Sequence, residues 1–268
     1  LGVATAGGSF GQFAIVPFAS ILQNSLGDWH TTMLVLAALS VLMVPLAAGL
    51  REHREAAGGT TGTQSTREAL REAFETRGFW LLTIGFFVCG FQVVFIGVHL
   101  PAYLADHGMP ARVAVTALAL VGLFNIVGTY TTGWLGSRMP KRYILSFIYF
   151  ARAVVIALFV FLPLSETSVY LFAMALGVLW LSTVPPTNGI VAHVFGVRYL
   201  AMLAGFTFFS HQIGSFLGAW LGGKLYDATG SYDLVWYLSI VLGIAAGLIN
   251  LPIDEKEIAR PRVAAVRA

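Results

Sequence analysis

Long apolar runs separated by short polar turns occupy almost the whole chain, and within each run the apolar residues are continuous rather than alternating. Crossing a bilayer as a helix takes about 20 apolar residues. Eight stretches meet that length: 2–23, 30–50, 79–104, 111–136, 143–163, 168–193, 199–225 and 233–253. A membrane β-barrel would alternate with period two in segments of about ten residues, so unbroken runs predict helices, which satisfy their backbone groups internally. The expected fold class is therefore all-α, a polytopic membrane bundle of eight transmembrane helices. Tight turns such as Gly27-Asp28-Trp29 and Asp227-Ala228-Thr229-Gly230 join most of them.

One connection is different. Residues 51–78 form a long polar stretch with a Gly/Thr-rich segment at 58–63, followed by STREALREAFETR. Ser65 and Glu68 have the spacing of a capping box, and Leu70 and Phe74 are four apart on one helical face. A short amphipathic helix on the membrane surface is expected there.

Composition agrees with the pattern. Of the 268 residues 57% are hydrophobic and 11% charged, with mean hydropathy +0.78, against about 25% charged in soluble domains. The net charge of +3 could point to nucleic acid, but the bases are sorted by side. If 51–78 is cytoplasmic, thirteen Lys and Arg fall on that side and only Arg112 and Lys224 on the opposite one. That is a positive-inside pattern; it places the linker and the C-terminus in the cytoplasm, the protein in the cell (inner) membrane, and leaves nucleic acid out. Cys89 is the only cysteine, so no disulfide framework or CxxC pair exists. The chain opens on Leu1 inside an apolar segment with no basic flank, which is not a signal peptide. It reads as a fragment whose preceding helices are missing.

Two spans, a long linker and six spans become regular if four helices stand in front, giving six plus six. The loop GWLGSRMPKR, residues 133–142, is similar to the motif G-x-L-x-D-R-x-G-R-[RK] of the major facilitator superfamily. Gly133, Leu135, Arg138, Lys141 and Arg142 match; Ser137 replaces the acid and Pro140 the glycine. The stretches REAFETRGFWLL, GFQVVFIGVHLPAYL and FFSHQIGSFLGAWLGG resemble bacterial porters near the monocarboxylate and oxalate/formate groups. The resemblance implies helices five to twelve of a twelve-helix fold: 1–50 as the last two helices of the first half, 51–78 as the linker, 79–253 as the second half and 254–268 as a tail. It also implies two halves that rock about a central site. Monocarboxylate porters carry an Asp and an Arg four residues apart in the helix that here is 111–136; this chain has Asn125 and Thr129 there, with Arg152 on the next helix as a substitute cation.

Arg152 is the one charged side chain deep within a span. Its insertion costs about 2.5–3.5 kcal/mol, and the nearest acid in sequence, Glu166, lies roughly 21 Å along a helix axis at 1.5 Å per residue. Its partner must be an anionic substrate, an acid on the absent helices, or neutral acceptors such as Asn125 and backbone carbonyls. Both substrate contact and a structural tie between helices fit. Gln92, His99, His211 and Gln212 are the other mid-span candidates for substrate or proton contact, against plain interhelical hydrogen bonding. Gly214, Gly218 and Gly222 recur every four residues, a seam for close packing. Pro185 and Pro186 remove two backbone donors and mark either a gate or a static kink.

No HExxH, GxGxxG or P-loop pattern occurs and no nucleophile elbow between a strand and a helix is expected, so no enzyme, metal or cofactor is expected. The expected function is secondary active transport of a small organic anion, a carboxylate above others, by alternating access. A small-molecule substrate, a coupling proton and the lipid bilayer are the expected partners. Proton-driven efflux of amphipathic compounds, or a transporter-like sensor that binds without translocating, stand as alternatives.

Overall fold

The structure, a computed structural model, describes residues 2–49 and 64–258. The Gly/Thr segment 58–63 and the bases Arg51, Arg54, Arg260, Arg262 and Arg267 lie outside the described residues. All regular structure among the described residues is helical. The elements are α1 (Gly2–Leu26), α2 (Trp29–Val41), α3 (Met43–Gly49), α4 (Thr66–Glu75), α5 (Arg77–Asp106), α6 (Ala111–Leu135), α7 (Lys141–Phe161), α8 (Glu166–Leu179), α9 (Val184–Phe195), α10 (Leu200–Thr229) and α11 (Asp233–Asn250).

Seven helical stretches among the described residues are long and apolar enough to cross a membrane, where eight were expected. The stretch outside that set is α1. It is 25 residues long. Two expected spans are each built from two helices. The span expected at 30–50 divides at Leu42, because Pro45 has no N–H for the carbonyl of Val41 and its ring crowds that carbonyl. The span expected at 168–193 divides between Leu179 and Val184, just ahead of Pro185 and Pro186.

Helices α5 to α11 pack as one bundle, with α1 laid against α6. Backbone contact at glycines sets the close pairs. A Cβ on Gly90 of α5 would overlap the His211 carbonyl of α10, and Cβ atoms on Gly214 and Gly218 would overlap the carbonyls of Phe87 and Phe91. A Cβ on Gly222 would strike the His99 ring. On the other flank, Gly128 of α6 lies against the Val178 carbonyl of α8, and a Cβ on Gly122 would sit 2.6 Å from the Phe13 nitrogen of α1. Small residues let helices approach until dispersion between backbones replaces the hydrophobic drive that lipid does not supply.

The bundle interior has three layers along its axis. At the end of α5 away from α4, Phe95, Tyr103, Phe159, Phe172 and Trp236 form an aromatic cluster, with Phe159 and Phe172 stacked at 4.0 Å. At the α4 end, Ala73, Phe79, Phe195, Leu203 and Ile253 close an apolar cap. Between them lies a polar layer.

Helix α4 begins with the expected capping box: Ser65 Oγ accepts from Glu68 N at 3.3 Å, and Ser65 N donates to a Glu68 carboxylate oxygen at 2.6 Å. It packs against the bundle. Ala69 and Ala73 are buried, Phe74 meets Phe206 of α10 edge-on at 5.3 Å, and Trp80 Nε1 donates to the Phe74 carbonyl at 2.8 Å.

Candidate functional site

The α8–α9 break lies at half the depth of its span, level with the centres of α5, α6 and α7. An unbroken helix would satisfy the Trp180 carbonyl with the Val184 N–H. Here Val184 N turns to the Leu181 carbonyl at 3.0 Å instead, and the proline at position 185 has no N–H with which to continue the ladder. The carbonyls at the end of α8 therefore need donors from elsewhere, since hydrocarbon offers none.

Arg152 supplies them. It is 1% exposed. Its Nε donates to the Leu179 carbonyl at 3.1 Å and its Nη2 to the same oxygen at 2.6 Å; Nη2 also donates to the Trp180 carbonyl. Nη1 reaches Gln92 Oε1 at 3.4 Å, and the guanidinium carbon lies 5.6 Å from the Tyr149 ring centroid. Of the three partner classes open from sequence, the structure provides neutral acceptors, and they are main-chain carbonyls and Gln92 rather than Asn125. The charge also sits at the negative end of the α8 dipole.

Two further helices hold the break. Asn125 of α6 accepts from Leu181 N through Oδ1 at 3.0 Å and donates through Nδ2 to Ser9 Oγ of α1 at 2.8 Å. Cys89 of α5 lies 3.1 Å from Thr183 Oγ1. Gln92 completes its own pairing by donating to the Ser239 carbonyl of α11 at 2.9 Å. The break is thus tied to α5, α6 and α7 directly, and to α1 and α11 through one further residue.

His211 of α10 borders this layer. Its Nδ1 lies 3.2 Å from Gln212 Oε1 and 3.4 Å from Ser215 Oγ. Nε2 is buried and lacks a partner in hydrogen-bond geometry, although the Cys89 thiol is close enough to act on the ring electrostatically. Thr187 Oγ1, one turn beyond Thr183 on α9, is also buried without a hydrogen-bond partner. Sequence reasoning did not single out Ser9, and it took Thr183 and Thr187 only as part of the stretch 182–189 around the paired prolines.

The remaining candidates are elsewhere. His99 lies farther along α5, where Nε2 is 2.8 Å from the Ala219 carbonyl on the glycine seam. Gln212 is exposed, with its Oε1 against His211 Nδ1 as described above. Pro185 and Pro186 occupy the first turn of α9, where a missing N–H costs nothing. Gly133, Arg138, Lys141 and Arg142 lie at the α6–α7 end of the bundle. There the Lys141 stem covers Gly189, and Arg142 binds the segment after α11, donating from its backbone N to Glu255 at 2.7 Å and from Nη1 to the Ile253 carbonyl at 2.9 Å.

Comparison with known proteins gives a consistent family. The model of the Major Facilitator Superfamily matches residues 1–219. An uncharacterized MFS-type transporter of Bacillus subtilis, YcxA, is 25% identical over 277 residues, covering 97% of this chain and 65% of its own. Monocarboxylate transporter 13 of Rattus norvegicus is 26% identical over 261 residues, covering 94% of this chain and 59% of its own. The chain therefore spans about three fifths to two thirds of these relatives. The E. coli fucose:proton symporter FucP superposes with a TM-score of 0.62 at 18% identity, over 93% of this chain and 68% of that one, a likeness of fold.

Proposed function

This chain belongs to the major facilitator superfamily, and from that premise we propose that it serves secondary active transport of a small organic anion, a monocarboxylate above others, at a midplane site beside the α8–α9 break. The family and the matched relatives are membrane transporters and not enzymes. In this reading residues 1–50 belong to the first half of the transporter and 79–253 to the second, with the linker and C-terminus cytoplasmic as the basic residues indicate.

The observation that carries the reading is the discontinuous helix. In secondary transporters, interrupted spans place helix ends at the bilayer centre, where they meet substrate. Arg152 offsets the negative end of α8, so the positive end of α9 is left without a counter-charge from its own partner helix. Among the described residues no Asp or Glu lies at this depth. The field at the break is positive on balance, which favours an anion in a low-dielectric setting. Arg152 acts as a positioning residue, because its donors are engaged with α8. The unpaired His211 Nε2 and Thr187 Oγ1 are the polar groups offered to a substrate or a coupling proton.

The relatives named as monocarboxylate transporters support the carboxylate. Ligand-induced stabilisation tests it on the full-length protein. A panel of small monocarboxylates should raise the melting temperature, and the corresponding neutral amides should not. Equal stabilisation by acids and amides would remove the anion, and stabilisation by amphipathic cations instead would favour efflux of such compounds.

A further inference from the structure

We propose that a cleft on the outer face of α6, α7 and α8, joined to a basic cavity at its mouth, binds an anionic phospholipid drawn from the surrounding leaflet. The cleft encloses about 290 Å³ and is walled by side chains including Leu135, Tyr143, Phe147, Ile148 and Leu179. Phe147 is 68% exposed, so the cleft opens sideways to the hydrocarbon rather than to the bundle interior. It runs from Gly128 to Leu135 along α6, about 10 Å at 1.5 Å per residue, which is the scale of an acyl segment.

At its α6–α7 end the cleft meets a second cavity of about 550 Å³, and Met139 lines both. Arg138, Lys141, Arg142 and Lys256 line that cavity, with His193. Its acids are Asp254 and Glu255; the second is engaged by Arg142 N at 2.7 Å and by Lys141 Nζ at 3.9 Å. Formal charge in the cavity is positive.

Two aromatics fix its depth. Trp134 and Tyr143 are both about half exposed at this end, and exposed Trp and Tyr mark the headgroup level of a bilayer. Each carries a guanidinium: Arg138 lies 3.9 Å over the Trp134 ring, and Arg142 Nη2 donates to Tyr143 Oη at 3.2 Å. An apolar cleft at hydrocarbon depth is thus continuous with bases at headgroup depth. A free phosphate would fill only the cavity and a zwitterionic lipid would leave the bases unmatched, so the joint geometry fits a diacyl lipid with a net negative head. The floor of the cleft includes Val178, Leu179 and Ser182, so the bound chain would brace from outside the same α8 end that Arg152 holds from inside.

The test is a thermal melt of the delipidated, detergent-solubilised protein, with native mass spectrometry of the retained lipid. Phosphatidylglycerol should raise the melting temperature by several degrees and stay bound, at least twice the effect of phosphatidylcholine with the same chains, and inorganic phosphate should do nothing. Arg138→Gln should reduce the phosphatidylglycerol effect to that of phosphatidylcholine. Thr131→Trp, which fills the cleft from its exposed wall, should remove both. Equal effects of the two lipids would overturn the proposal, as would a phosphate effect matching phosphatidylglycerol, or retention of phosphatidylglycerol by Thr131→Trp at the native level.

Discussion

Arg152 Nη2 lies 2.6 Å from the carbonyl oxygen of Leu179, the last residue of α8, so an intramembrane arginine serves as a C-terminal cap provided by another helix. The paired prolines create the need, and the fork of the guanidinium meets it, because its geometry lets one side chain serve two adjacent carbonyls.

Replacing this cap should cost stability in a graded way. Arg152→Gln strips the guanidinium donors from both carbonyls, and each carbonyl left unsatisfied costs about 1–3 kcal/mol. Arg152→Lys retains the charge but not the fork, so its melting temperature should fall between those of the native protein and the Gln variant. Equal melting temperatures for all three would show that the contact carries no stability.

Asn125 should couple α1 to the break. Asn125→Leu leaves the Leu181 N–H without its acceptor, at about 1–3 kcal/mol for a buried unsatisfied group. Ser9→Ala removes only the α1 side of the link. A double-mutant cycle on the two should give a coupling of about 0.5–3 kcal/mol. Strict additivity would mean the Ser9 contact is not used.

The glycines of α10 offer an internal control. Gly218→Ala pushes a methyl into the Phe91 carbonyl, whereas a Cβ at Gly205 meets nothing within 4 Å. Overpacking costs about 1–3 kcal/mol, while Gly→Ala at an open helical site gains about 0.4–1 kcal/mol. Melting temperatures should therefore move in opposite directions. A tolerated Gly218→Ala would show that α5 and α10 stand farther apart.

The capping box of α4 should make that helix acid-sensitive. Hydrogen bonds from Ser65 hold the Glu68 carboxyl below its ordinary value. A depressed folded-state value means the contribution is fully present above the unfolded value and is lost as pH falls through the folded one. Amide protection across 66–75, relative to the intrinsic exchange rate at each pH, should fall as pH drops below the usual carboxylate range, and Glu68→Gln should flatten that dependence. An unchanged profile in Glu68→Gln would assign the acid response to another group.

The spans were legible because hydrocarbon demands about 20 continuous apolar residues, and no other requirement writes so long a pattern. The α8–α9 break was legible in Pro185-Pro186, whereas the equivalent effect of the single Pro45 was passed over. Backbone carbonyls were among the partners open to Arg152 from sequence, but Leu179 and Trp180 could not be read. Main-chain carbonyls have no residue signature, and which carbonyls are released depends on where the next N–H turns. The docking of α4 was hidden for a related reason: Phe74 finds Phe206, a neighbour that only the closing of α10 onto α5 brings near. Asn125 was noted as a polar departure on its helix, but its second bond runs to Ser9 on α1, and no local pattern announces that.

The most direct test of the account is counterflow by the full-length protein in proteoliposomes preloaded with unlabelled monocarboxylate. External labelled monocarboxylate should accumulate transiently, and the neutral amide analogue inside should fail to drive it. Binding without any counterflow would contradict transport and leave a sensor, and counterflow driven equally by the amide would contradict an anion site at the α8–α9 break.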